Sequence, residues 1–168
     1  MLSEQQHSGA HMAVRQQSLA MYIRIHLAGA SGGIRLAELL AADPWMDGAL
    51  DHLAGELAEE VDFAKKWAAA NSRIPELWTV PLFGLTAMTR IGLDTLRPLR
   101  GPLRRTISLE AMRSLVLAKK AMWELGLSLH PAGDRLHDQL DIYDRQALRQ
   151  ATELQALHQA AAVETFGA

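Results

Sequence analysis

The chain contains no cysteine, which rules out disulfides, thiolate zinc sites, cysteine-ligated iron–sulfur clusters and cysteine nucleophiles. Any metal would need histidine and carboxylate ligands. Aromatic residues are only 5% of the sequence, and no alternating run of β-branched residues argues for strands. No apolar run approaches the ~18 residues needed to span a bilayer. There is no glycine-rich phosphate loop, no nucleophile elbow, and no basic helix face with interleaved aromatics. A formal net charge of −2 gives no general pull toward nucleic acid, which is not an expected partner. Residues 1–12 are polar and lack a basic-then-apolar signal pattern, so they read as a disordered tail on a cytoplasmic protein.

The rest of the chain favours helices. Hydrophobic residues make up 49% and charged residues 21%, and the apolar share is mostly Ala, Leu, Met and Ile, which include the best helix formers. With 168 residues the chain can bury a core unaided, and residues 13–168 are expected to form one domain.

Leu19, Ile23, His26, Ala30, Ile34 and Ala37 recur at helical spacing and predict a first helix over 13–42, closed by Asp43-Pro44. A second runs from near Asp47 to about 71, with Leu50, Leu53, Leu57, Val61, Ala64 and Ala68 on one face. A third, over 106–127, carries Leu109, Met112, Val116, Met122 and Trp123 and stops before His130-Pro131. A fourth, over 132–163, carries Leu136, Leu140, Tyr143, Ala147, Ala151, Leu154 and Ala161. Short connections make helices 1 and 2, and helices 3 and 4, antiparallel neighbours. Between the pairs lie residues 72–105, punctuated by Pro75, Pro81, Pro98 and Pro102, too long for an ordinary loop. A short helix is predicted around 82–96. The expected fold is an all-α four-helix bundle of ferritin-like connectivity, two antiparallel hairpins joined by a long crossover.

That connectivity raises the question of metal. Ferritin-like di-iron sites use a Glu from each of two helices and a Glu-x-x-His from each of the others, because positions i and i+3 share a face. The one literal Glu-x-x-His is Glu4–His7, in the tail, and its nearest helical relative is Asp134–His137. His26 falls on the apolar stripe of helix 1, level with about Phe63, where Glu59, Glu60 or Asp62 would reach it. Such a pair is either a core histidine satisfied by a hydrogen bond or part of a metal site. Glu110 with Gln150, Glu153 or His158 forms a second inward grouping, or else a solvated flank. The candidate ligands for iron or manganese are therefore His26, Glu59, Glu60 and Glu110.

Two further irregularities stand out. The run Ala28-Gly29-Ala30-Ser31-Gly32-Gly33 interrupts helix 1, where each glycine costs about 1 kcal/mol relative to alanine. Gly29, Gly32 and Gly33 give either close approach of a neighbouring helix or subunit, or room for a ligand beside a local bulge. Arg90, Arg97, Arg100, Arg104 and Arg105 face only one acid, Asp94, and follow the apolar residues Leu77, Trp78, Val80, Leu82, Phe83, Leu85 and Met88. This basic crossover suits an anionic ligand, an acidic partner or peripheral membrane contact through 77–105. It equally suits packing of its apolar side on the bundle with the arginines in solvent.

Three segments, YIRIHLAGASGGIRLAELL at 22–40, LAGELAEEVD at 53–62 and GPLRRTISLEAMRSL at 101–115, resemble a group of uncharacterised bacterial proteins with ferritin-like four-helix character. The His-x-Ala-Gly core of helix 1 and the Leu-Glu opening helix 3 are the most particular elements. In that group an acidic residue often precedes the histidine and an acidic pair follows the helix 2 glutamates; here those positions hold Ile25 and Phe63-Ala64. The resemblance implies the fold and brings no substrate and no catalytic residue.

The first functional expectation is a non-catalytic bundle that self-associates as a homo-oligomer or binds a partner. The alternative is a degenerate ferritin-like metal protein, an oxidase or a metal handler. The third is a bundle that holds a small molecule or lipid in its Met- and Leu-rich interior, a known place for such sites.

Overall fold

Asp43 and Pro44 set the first corner. The structure, a computed structural model, describes residues 2–72 and 99–167, with side chains from Val14 onward. Before the corner runs an arm made of α1 (Leu2–Ala28) and α2 (Ala30–Ala41), separated at Gly29. Gly29 keeps near-helical angles, φ −87° and ψ −9°, and its carbonyl accepts the Gly33 amide at 3.0 Å. The arm is therefore interrupted without being turned aside. A single helix over 13–42 was expected; the glycines break it, and helix extends back to Leu2.

At the corner, Asp43 Oδ1 accepts the Trp45 amide at 3.0 Å and caps a 3-10 turn at Pro44–Met46. Asp47 and Gly48 are both left-handed, φ 48° and 77°, so the chain turns there and α3 spans Leu53–Ala70. The helix starts later than the expected position near Asp47: Asp43 caps only the 3-10 turn, Asp47 serves the reversal, and no side chain caps α3 at His52. Helix α4 (Gly101–Leu129) starts ahead of the expected Thr106, because Pro102 stands in the first turn, where a missing amide costs nothing. Gly133, at φ 92°, makes the last corner, and Asp134 caps α5 (Arg135–Phe166) by accepting the Leu136 amide at 3.0 Å. The short helix expected around 82–96 lies outside the described residues.

Contacts fix the directions. His52 meets Glu153, Glu56 meets Arg149, and Glu60 meets Gln146, so α3 and α5 are antiparallel. Thr106 meets Thr165, Arg113 meets Gln155, and Lys120 meets Asp144, so α4 and α5 are antiparallel too. Hence α3 and α4 run in the same direction, and the end of α3 and the start of α4 lie toward opposite ends of the bundle, α3 itself being about 27 Å long with its 18 residues. This is the two-hairpin, one-crossover connectivity of ferritin-like bundles. Among the described residues no helix is long and apolar enough to cross a membrane.

The core runs through Ile23, Leu36 and Leu40 of the arm, Leu53 and Leu57 of α3, Leu109, Met112 and Val116 of α4, and Leu140 and Leu154 of α5. One end is aromatic. Trp123 stacks on Tyr143 at 5.4 Å and on Trp67 at 6.2 Å, and Phe63 completes the group. At the other end Arg105 ties three elements together. It donates to Asp43 at 3.1 Å and to Glu164 at 3.0 Å, and lies 4.6 Å over the Trp45 ring.

Candidate functional site

The apolar stripe of each of three helices is interrupted by one polar residue at the same level. On α3 the stripe Leu53, Leu57, Glu60, Ala64, Trp67 holds a carboxylate. On α4, Met112, Val116, Lys119, Trp123 holds an amine. On α5, Ala147, Gln150, Leu154 holds an amide. Glu60 is 1% exposed and Gln150 is 0% exposed, so each must find partners within the protein.

They find one another. Lys119 Nζ forms an ion pair with Glu60 Oε2 and donates to Gln150 Oε1 at 2.7 Å. Gln150 Nε2 donates to Glu56 Oε2 at 2.8 Å and to Glu60 Oε1 at 3.2 Å. Gln146 Nε2 adds a bond to Glu60 Oε1 at 2.8 Å, and Arg149 reaches Glu56 Oε1 at 2.6 Å. Two carboxylates thus face two cations, the balance that lets buried charge persist. Burial presses on Glu56, but bonds from Gln150 and Arg149 outweigh it and hold its carboxyl below the usual range. For Lys119 burial dominates over the attraction of Glu60, and its ammonium loses its proton more readily than a free lysine. Lys120, next in sequence, behaves oppositely: bonds to Glu124 at 2.6 Å and Asp144 at 2.9 Å raise its pKa.

The Glu60–Lys119 pair is part of the wall of a cavity of about 280 Å³ between the α1–α2 arm, α3 and α4. The rest of the wall is almost wholly apolar, including Leu57, Met112, Leu115, Val116, Met122 and Trp123. Gly29, Ala30 and Gly33 form its side along the arm, so the interruption of the arm coincides with the cavity. At Gly33 a methyl group would meet only Leu115 Cδ1 at 3.9 Å, so no close helix approach demands that glycine. Ile25 and Ala118, both exposed, also belong to the lining, and the cavity reaches the surface between α1 and α4.

His26 is in the same wall. Its ring packs edge-on against Tyr22 at 4.7 Å, and burial alone lowers its pKa, leaving it neutral at pH 7. It faces the level of α3 expected from the sequence, sharing the cavity with Glu60, but Glu60 is engaged by Lys119, Gln146 and Gln150. The structure does not bring the other two candidate ligands to them: Glu59 and Glu110 are exposed. Among the described residues no three His, Asp or Glu side chains group to hold a metal ion. Gln150 and Glu153, considered beside Glu110, belong elsewhere, Gln150 to Lys119 and Glu153 to His52 at 3.2 Å. His137 meets the His130 carbonyl at 2.9 Å.

Of the crossover arginines, Arg105 is occupied in its clamp. It and the Trp45 amide overcome the effect of burial and lower the pKa of Asp43. Arg100 and Arg104 are exposed. Arg104 and Arg105 line a second, polar cavity with Asp43 and Ser108, beside Leu36 and Leu40. Arg90 and Arg97 lie outside the described residues. Gly32 is half-buried and is not in the wall of the main cavity.

Lys119 was missed by the sequence reading, although the signal was there: it stands three residues after Val116 and four before Trp123, on the core stripe. No family model matches the chain, and no curated protein and no solved structure is similar enough to it to count as a relative. The described residues form an all-α four-helix bundle, and the comparisons assign that bundle to no family.

Proposed function

We propose that this bundle binds a small, largely apolar molecule in the cavity between the α1–α2 arm, α3 and α4. The carrying observation is the cavity itself, about 280 Å³ with an apolar wall interrupted by Glu60, Lys119 and His26. Tight packing leaves few voids larger than a water molecule in ordinary cores, and an apolar cavity of ~150 Å³ already admits benzene. An apolar body with one or two polar atoms suits such a wall, the usual composition of small-molecule sites. Gly29 and Gly33 contribute by keeping side chains out of the space.

Titration of isotope-labelled protein with hexanol tests this reading. Shifts confined to the methyl groups of Met112, Leu115, Val116 and Met122 are expected. Saturating hexanol that leaves those resonances in place overturns it.

Self-association is a second reading, favoured by one observation. Leu117, Ala121, Leu125 and Leu129 follow each other along one exposed face of α4, and Leu129 is 53% exposed. Such a stripe packs against its own copy across a twofold axis. Sedimentation at rising concentration tests it, with Leu125→Lys expected to restore the monomer; a monomer throughout removes it.

A further inference from the structure

We infer that Lys119 is a covalent capture site, at which a small apolar aldehyde entering the cavity is held as an imine. The inference rests on the ligand-binding reading above and assigns it a ligand class.

The chain's lysines are Lys65, Lys66, Lys119 and Lys120. Lys65 and Lys66 are exposed, and Lys120 is held between Glu124 and Asp144. Lys119 alone lines the apolar cavity. An ammonium has three donors, and here two are used, on Glu60 and Gln150.

The site also supplies what imine formation needs. The nucleophile is the neutral amine, and burial in an apolar wall favours that form. The proton has a destination, since Glu60 Oε2 is in direct contact with Nζ. The amine nitrogen then attacks the aldehyde carbon. Nitrogen–carbon bond formation pushes the carbonyl π electrons onto oxygen, giving a carbinolamine after proton transfer. Return of the proton from Glu60 to the carbinolamine hydroxyl lets water leave, and the nitrogen lone pair closes the carbon–nitrogen double bond. Nothing is oxidised or reduced, and one water is released per aldehyde.

His26, half-buried in the wall on the arm side, offers a ring nitrogen to an oxygen-bearing ligand. The apolar remainder of the wall accommodates the hydrocarbon and limits the water that would hydrolyse the imine.

The test uses the intact protein incubated with hexanal, then sodium borohydride, and read by intact mass and peptide mapping, beside hexanol titration of the same sample. The expected result is one hexyl group per chain on Lys119, severalfold above Lys65 and Lys66, and suppressed by hexanol at Lys119 alone. If hexanol binds in the cavity but Lys119 labels no faster than Lys65 and Lys66, the inference fails and the ligand-binding reading stands. If neither hexanol nor hexanal engages the cavity, both fail. Lys119→Met is expected to lose the label. The peptide map of the unaltered chain decides the matter even if that variant does not fold.

Discussion

Gly126 lies directly under the Trp67 indole: a methyl group on its Cα would sit 2.7 Å from Trp67 Cη2 and 3.0 Å from both Leu140 methyl carbons. Trp67 is on α3, Leu140 on α5, and Gly126 on α4 between them, so three helices meet where one residue has no side chain. The indole is itself stacked on Trp123 and has little room to move. Gly126→Ala is therefore expected to destabilise the fold by about 1–3 kcal/mol, as overpacking does, despite alanine's better helix propensity. A lowered urea midpoint with an unchanged m-value checks this.

Gly33 is the opposite case. Its added methyl meets one flexible leucine tip at 3.9 Å, and its backbone is helical. Gly33→Ala is expected to raise stability by roughly 0.5–1 kcal/mol while narrowing the cavity, so the melting temperature rises as hexanol affinity falls. Equal affinity in the two proteins would detach Gly33 from ligand binding.

Lys119 and Glu60 are a coupled pair. Removing one partner leaves the other charge buried, which costs about 3–5 kcal/mol where such pairs are broken. Lys119→Met and Glu60→Gln are each expected to lose stability on that scale. The double variant should recover part of the sum, with positive coupling in a denaturation cycle. Additive losses would mean that the pair contributes nothing beyond its separate side chains.

Stability should fall on the acid side. His26, Glu56 and Asp43 all have lowered folded-state pKa values, so the unfolded chain takes up protons first and each group favours folding above its unfolded pKa. For His26 that contribution begins to be lost as pH drops through its ordinary value of 6.5. For Glu56 and Asp43 the loss follows near their ordinary values of 4.5 and 3.8. Calorimetry from pH 7.5 downward should show the decline beginning near 6.5, and His26→Gln should remove its upper part and leave the carboxylate portion.

The helices and their pairing could be read from the chain because they depend on period and on prolines. The 43–44 and 130–131 corners fall where the sequence puts them. Helix starts were less legible: Gly101 precedes a proline that a helix tolerates in its first turn, and the cap at Asp43 serves a 3-10 turn that no periodicity announces. His26, Gly29 and Gly33 were singled out as departures from pattern, and all three line the cavity. Lys119 escaped because it is paired in sequence with Lys120, and a Lys-Lys step looks like a solvated edge. Period alone distinguishes them, with Lys119 on the stripe of Val116 and Trp123 and Lys120 one position off it. That Glu60, Lys119 and Gln150 share a level depends on how three helices are staggered, a property of the assembled bundle and of no single segment.

The parallel run of α3 and α4 sets the order of assembly. Each hairpin closes over a short connection, whereas the α3–α5 bonds, such as Gln146 to Glu60 and Gln150 to Glu56, join residues 86 and 94 positions apart. Long closures lag short ones, so the seam between hairpins forms last. The cavity is part of that seam, its walls contributed by the arm and α3 on one side and α4 on the other. A molecule that fits the cavity therefore meets its walls singly while the chain folds, before the two hairpins close around it.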